Sequence, residues 1–70
     1  MDEYVENKVL VLRKNLGITQ EDLAKKIKVT RQTVIAIEKG VYTPSLLLGL
    51  KIAKFFKKNV EEILILKNEK

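Results

Sequence analysis

Two short helices joined by a brief connection are indicated between Gly17 and Glu38, where the chain reads GITQEDLAKKIKVTRQTVIAIE. Thr19 has a capping hydroxyl and is followed by acidic residues that favour the positive end of a helix, and Thr30 provides a second capping hydroxyl. The connection of Lys28–Thr30 is too short for an antiparallel pair, so the helices cross steeply in helix-turn-helix geometry. Ala24 is small enough to let them approach closely. The apolar residues that they share as a core are Leu23, Ala24, Ile27, Val29, Val34 and Ile37.

Three further helices are expected on either side of this unit. A spacing of four, three and four residues predicts a first helix over Glu3–Leu16, which Gly17 ends, with its inward face formed by Val5, Val9, Leu12 and Leu16. Ser45, directly after Pro44, begins a fourth helix whose inward residues are Leu46, Gly49, Leu50, Ile52, Ala53 and Phe56. Asn59 caps a fifth, in which Val60, Ile63 and Leu64 face the core. The prediction is an all-α, five-helix single domain over residues 1–70, with a short strand at Ile65 and Leu66 as the alternative ending.

Composition restricts the kinds of protein that this chain can be. Its 70 residues include no cysteine and no histidine, which excludes disulfides, thiolate nucleophiles, the common zinc sites and imidazole catalysis. We therefore expect no enzymatic activity, no metal and no cofactor. Its apolar runs fall far short of the roughly 20 residues that span a bilayer, and its acidic N-terminus is unlike a secretory signal, so a cytoplasmic protein with no membrane association is expected.

The charge of the chain favours a polyanionic partner. The net charge is +5 and the sequence pI is about 9.6. A lysine-rich solubilising surface would give the same balance, so the placement of the basic residues has to decide between the two interpretations.

Six segments covering most of the chain carry a family pattern: Gly17–Ile27, Val29–Val34, Ala36–Glu38, Tyr42–Leu46, Leu50–Lys54 and Val60–Ile63. Together they resemble the Cro/phage-repressor type of helix-turn-helix, also called the XRE family of prokaryotic regulators. The resemblance implies a repressor-like domain that binds double-stranded DNA as a dimer on a palindromic operator, with no small-molecule effector evident and with the helix-turn-helix at about residues 20–38. A protein-interaction or antitoxin-like module that only autoregulates its own promoter is the alternative. Lys28 and Lys57 stand where the family has glycine, so both are expected to adopt a left-handed conformation at about 1 kcal/mol each.

The exposed side of the second short helix carries side chains that suit the major groove. Arg31 can donate two hydrogen bonds to guanine, and Gln32 can pair with adenine through two hydrogen bonds. Ile35 or Ala36 can contact a thymine methyl group. These four are the predicted base-reading residues, although an exposed first helical turn needs polar residues even without DNA.

A second group of residues is expected to contact the DNA backbone. The resemblance implies that Gln20 lies against a phosphate and braces the start of the second short helix. Lys39, Gly40 and Tyr42 follow that helix in a loop whose amides and side chains can hold phosphate oxygens, although Tyr42 could instead cover the core. The predicted phosphate-binding residues are Gln20, Lys28, Thr30, Lys39, Gly40 and Tyr42, and helix capping alone explains Thr30.

An apolar surplus at the ends of the chain predicts a second subunit. Tyr4 and Val11 lie opposite the inward face of the first helix, and the apolar run continues beyond the fifth helix. The prediction is a symmetric homodimer through Ile63, Ile65 and Leu66 in the tail of residues 60–70, which would set the two recognition helices about 34 Å apart. The alternative is that the tail folds back onto Tyr4 and Val11 of its own first helix.

Overall fold

The computed structural model describes residues 3–68, which form five α-helices and a two-stranded antiparallel sheet. In chain order the elements are β1 (Glu3–Asn7), α1 (Val9–Leu16), α2 (Gln20–Ile27), α3 (Arg31–Glu38), α4 (Leu46–Phe56), α5 (Val60–Ile63) and β2 (Leu64–Asn68). The five predicted helices are confirmed, but the all-α class is wrong because of the sheet. The ends of the predicted domain and tail, residues 1–2 and 69–70, lie outside the described residues.

Side-chain caps begin the three middle helices, as the sequence predicts. Thr19 Oγ1 accepts from the backbone N–H of Asp22 at 3.0 Å, and Asp22 Oδ2 accepts from the backbone N–H of Thr19 at 3.2 Å. The hydrogen bond from that backbone N–H lowers the pKa of Asp22, since it stabilises the ionised carboxylate. Thr30 Oγ1 accepts from Thr33 N–H in α3, and Ser45 Oγ accepts from Leu48 N–H in α4. Each helix therefore begins where its own capping hydroxyl satisfies a free amide.

The core lies between the helices, with α2 and α3 contributing half of its buried residues. Ala24 is buried, which is consistent with its predicted place between these two helices. The apolar residues buried among residues 3–68 are Val9, Leu23, Ala24, Ile27, Val34, Ile37, Leu48, Ile52, Ala53 and Ile63. None of the helices in the described part of the chain is long and apolar enough to cross a membrane.

The first helix begins later than the sequence predicts. Residues 3–7 form a strand, and α1 begins at Val9 after the N-cap residue Lys8, with Asn7 Oδ1 accepting from Val9 N–H at 3.1 Å. Val5 fits helical spacing with Val9 but pairs with Leu66 across the sheet. The predicted inward face is therefore wrong for Val5, and it is also wrong for Leu16, which is exposed.

The fourth helix has its inward face rotated from the predicted one. Leu48 is buried together with Gly49, and Leu64 Cδ1 lies 3.1 Å from the position that a Cβ at Gly49 would occupy. Leu46 and Leu50 were expected to face inward, but they are exposed. A run of leucines at 46, 47, 48 and 50 offers several apolar faces, and the close approach at Gly49 selects the one that includes Leu48.

The tail folds back on its own chain instead of projecting freely. β2 pairs with β1, so that Lys67 lies opposite Tyr4 and Leu66 opposite Val5. Ile63 is completely buried in its own protomer and has no surface to offer a second copy, so its predicted place in a dimer interface is wrong. The alternative prediction is correct in that the tail folds back onto the segment that contains Tyr4. It is wrong for Val11, which remains exposed.

Candidate nucleic-acid interface

α3 is held to the core by one side and presents the predicted base-reading residues on the other. Val34 and Ile37 are fully buried, while Arg31 and Gln32 in the first turn are exposed. Ile35 and Ala36 are half-buried, so the large apolar side chain of Ile35 is less exposed than its place in the helix suggests. Helical geometry puts Gln32, Ile35 and Ala36 on the side away from the core, with Arg31 at its margin.

The N-terminus of α3 differs electrostatically from that of α2. α2 has Glu21 and Asp22 in its first turn, where acids offset the positive end of the helix dipole. α3 has no acid in its first turn and begins with Arg31. The positive charge of Arg31 and the positive end of the helix dipole repel each other. An anion bound at this end of the helix would be attracted by both.

The start of α2 and the start of α3 share one open depression. Residues 17–21 line it together with Arg13 and Arg31, and its volume is about 640 Å³. The structure thus brings Gln20 and Arg31 to the same depression.

A buried ion pair ties this depression to the far end of α3. Arg13 Nε donates to Glu38 Oε2 at 2.6 Å, and the same guanidinium donates to Ile18 O at 2.9 Å. Gln20 Nε2 donates to Glu38 Oε1 at 3.1 Å. The hydrogen bond to Glu38 raises the pKa of Arg13, whose charge is thereby stabilised. Gln20 therefore braces the end of α3, and its predicted bracing of the start of that helix is wrong.

Sequence reasoning missed Arg13 and Glu38. Arg13 lies four residues after the buried Val9, so a charged side chain occupies the inward face of α1. A charge at such a position needs a buried partner, and this was the available signal. The partner lies 25 residues further along the chain, and helical periodicity does not identify it.

The loop after α3 leaves two of the predicted phosphate-binding residues exposed, while the amide of a third is already bonded within the chain. Gly40 N–H donates to Ile37 O at 2.9 Å, so this amide closes the helix and the phosphate contact predicted for Gly40 is withdrawn. Lys39 and Tyr42 are exposed, and Tyr42 does not cover the core. The Oγ1 of Thr30 is occupied by its capping bond and by a contact to Thr33 Oγ1 at 3.1 Å.

Lys28 lies apart from the depression that holds Gln20 and Arg31. Its backbone is left-handed with φ of 62°, and Lys57 has φ of 58°, which confirms both predicted conformations. The side chain of Lys28 lines a different depression, together with Lys51 and Lys54 of α4.

The sequence profile of the helix-turn-helix family matches residues 11–63. The chain belongs to the XRE-type helix-turn-helix family. Within it, the family match begins in α1 and ends with α5, so that β1 and β2 both lie outside the matched range. α2, α3 and the turn between them are the elements that give the family its name.

Relatives of this helix-turn-helix protein occur in archaea and bacteria. An uncharacterised HTH-type transcriptional regulator of Methanocaldococcus jannaschii is 54% identical over 65 residues, covering 93% of this chain and 98% of the relative. The HTH-type transcriptional regulator YgzD of Bacillus subtilis is 52% identical, with the same two coverages. A third, from Methanothermobacter thermautotrophicus, is 54% identical over 77% of this chain and 80% of its own length. Family membership implies DNA binding.

Proposed function

We propose that this protein regulates transcription by placing α3 in the major groove of a specific double-stranded DNA sequence. The observation that carries the proposal is the division of α3 into a buried side, with Val34 and Ile37, and a polar first turn, with Arg31 and Gln32 exposed. The protein acts by binding DNA and not by catalysing a reaction. Arg31 reads guanine, Gln32 reads adenine, and Ile35 or Ala36 contacts a thymine methyl group.

Contacts to phosphate set the position of α3 in the groove. Gln20, at the start of α2, lines the same depression as Arg31, and its bond to Glu38 fixes its amide relative to α3. Lys39 and Tyr42 contact the backbone from the other end of the helix. These contacts supply affinity without sequence information, and they make binding sensitive to salt.

We propose that the protein binds a palindromic operator as a homodimer, and an exposed apolar surface next to α3 supports this arrangement. Exposed apolar side chains lie close behind α3 in the chain, in the loop and the first turns of α4, and one more lies on β2: Val41, Leu46, Leu47, Leu50 and Leu66. A second copy that covers them would bring two α3 helices to one side of the DNA. Ile65 is half-buried and contributes at the edge. Occupation of promoter DNA by such a dimer represses transcription.

Selection of bound duplexes from a random pool, followed by titrations across a salt series, tests the proposal. We expect a palindromic motif, with sedimentation showing two protomers per duplex. Arg31→Ala and Gln32→Ala should each reduce the discrimination between bases at one position of the site by about 1–3 kcal/mol. Lys39→Ala should weaken all sequences equally and reduce the salt slope by about 1. Lys14→Ala is the matched control, because it removes the charge of an exposed α1 lysine that does not line the depression of Gln20 and Arg31.

The division of roles fails if Arg31→Ala and Lys39→Ala have the same effect on every sequence. The proposal as a whole fails if no motif is selected and binding disappears at physiological salt, since a basic surface alone behaves in that way.

A further inference from the structure

A second basic surface surrounds Phe55, at the C-terminal end of α4. Two depressions adjoin there, with volumes of about 280 and 350 Å³, and Phe55 lines both. We call the residues that line them the Phe55 surface. None of the predicted base-reading residues lines it.

Lysines surround the Phe55 surface without local neutralisation. Six of the 14 basic residues in the chain belong to it: Lys26, Lys28, Lys51, Lys54, Lys57 and Lys58. The ion pairs formed among residues 3–68 are Arg13–Glu38 and Glu6–Lys67, so none of these six lysines has a carboxylate within 4.0 Å. Asp22 is near enough to feel the charge of Lys26, but its carboxylate accepts from Thr19 N–H.

The larger depression combines this positive rim with an apolar floor. It lies between α1 and α4 and is lined by Leu12, Leu16, Phe55 and Phe56. The two phenylalanine rings are in edge-to-face contact, with centroids 5.0 Å apart, and both are half-buried. Leu16 is 56% exposed although it belongs to a helix that packs on the core. An apolar side chain from another molecule would find a partly formed pocket here.

Two of the lysines occupy positions where glycine would make the fold more stable. Lys28 and Lys57 have positive φ, a conformation that a Cβ disfavours and that glycine adopts freely. Both end a helix that contributes to the Phe55 surface. Their ammonium groups add to its rim, so the extra charge is placed on this surface at the expense of stability.

We propose that the Phe55 surface docks an acidic amphipathic segment of a partner protein. An apolar side chain of that segment inserts between Leu16 and the phenylalanines, and flanking carboxylates pair with Lys57, Lys58 and the other lysines. A DNA backbone would satisfy the lysines but would leave the apolar floor unused, whereas an acidic amphipathic peptide complements both. The surface is separate from the depression of Gln20 and Arg31, so the partner and DNA bind at the same time.

The test is an NMR titration of the isotope-labelled full chain with a synthetic peptide rich in Glu and Asp, with Leu and Phe at helical spacing. We expect amide shifts at Leu12, Leu16 and residues 55–58. Leu16→Asp and Lys58→Glu should each weaken peptide binding by about tenfold or more. Both side chains are exposed, so the fold is retained, which circular dichroism verifies. Lys14→Glu reverses a charge on α1 outside the surface and should have little effect.

Three outcomes would overturn the proposal. The peptide could fail to bind, or a charge-matched peptide with serine in place of Leu and Phe could bind equally well, which would remove the apolar anchor. Mixed-sequence duplex DNA could shift residues 55–58 in a manner that Lys58→Glu abolishes, which would make this a nucleic-acid surface. Operator binding by Leu16→Asp is measured separately, so loss of peptide binding is distinguishable from failure of the DNA-binding function.

Discussion

Arg13 and Glu38 determine how α3 is held, although neither is one of the predicted base-reading residues. The side chain of Arg13 is 11% exposed and that of Glu38 is 5% exposed, and two nitrogens of the guanidinium donate to the carboxylate. Ile18 O and Gln20 Nε2 provide further partners, and no buried side-chain nitrogen or oxygen within residues 3–68 lacks one. A buried pair satisfied in this way is costly to break, because either partner alone would be an uncompensated charge.

Glu38→Ala should therefore destabilise the fold by about 3–5 kcal/mol, since it leaves the guanidinium of Arg13 buried without its carboxylate. Urea unfolding followed by circular dichroism measures the loss. Glu6→Ala is the matched control, because the Glu6–Lys67 pair is about half exposed and should contribute no more than about 1 kcal/mol.

Replacing both buried charges distinguishes the ion pair from simple packing. Arg13→Met combined with Glu38→Leu should recover much of the stability that Glu38→Ala loses, since apolar residues of similar volume need no compensation. Equal losses for Glu38→Ala and Glu6→Ala would contradict the assignment of a buried, coupled pair.

At the scale of elements, the sequence predicts what is local and misses what is distant. The starts of α2, α3 and α4 follow from Thr19, Thr30 and Ser45, because a capping hydroxyl bonds within its own first turn. The strands do not follow from such signals. Val5 fits helical spacing with Val9, and the partner that selects the strand is Leu66, at the other end of the chain.

The candidate site shows the same division between local and distant information. Arg31 and Gln32 are exposed as predicted because the period of one helix fixes their side, which Val34 and Ile37 oppose. The Arg13–Glu38 pair joins two helices through the fold, and helical periodicity alone does not encode it.

The C-terminal caps of α2 and α4 provide a prediction about these elements. Lys28→Gly and Lys57→Gly should each stabilise the protein by about 1 kcal/mol, because glycine adopts positive φ without the steric penalty of a Cβ. Urea midpoints measure the gain. Gly17→Ala is the converse control: its φ is 73° with open space around the missing Cβ, so backbone strain alone should destabilise the fold by a similar amount.

Lys57→Gly also separates stability from the proposed docking function. Its unfolding midpoint should rise while its affinity for the acidic peptide falls, since the cap improves and one rim charge is lost. A fall in both quantities would show that the Lys57 side chain stabilises the fold by contacts that outweigh its backbone strain.

The two ends of the described chain pair as a sheet, and this sheet makes a hydrogen bond to α3. β1 and β2 pair over five residues each, and Lys8 N–H donates to Ile63 O at 2.9 Å where the strands meet the helices. Asn7 Nδ2 then donates to Ile37 O at 2.8 Å, so the sheet satisfies a carbonyl in the last turn of α3. The strands therefore support the proposed recognition helix from outside the range that the family shares.

Shortening the chain to end at Leu64 should remove this support without unfolding the core. It deletes β2 beyond its first residue, and at about 0.2–1 kcal/mol for each cross-strand pair the free energy of unfolding should fall by roughly 1–4 kcal/mol. Native-state hydrogen exchange should then show lost protection in residues 3–7 and faster exchange in the last turn of α3, while residues 23–27 stay protected. A chain ending at Asn68 keeps every cross-strand pair and serves as the control. If the last turn of α3 exchanged equally slowly in both chains, the bond from Asn7 to Ile37 would not depend on the sheet, and the family-matched helices would hold α3 by themselves.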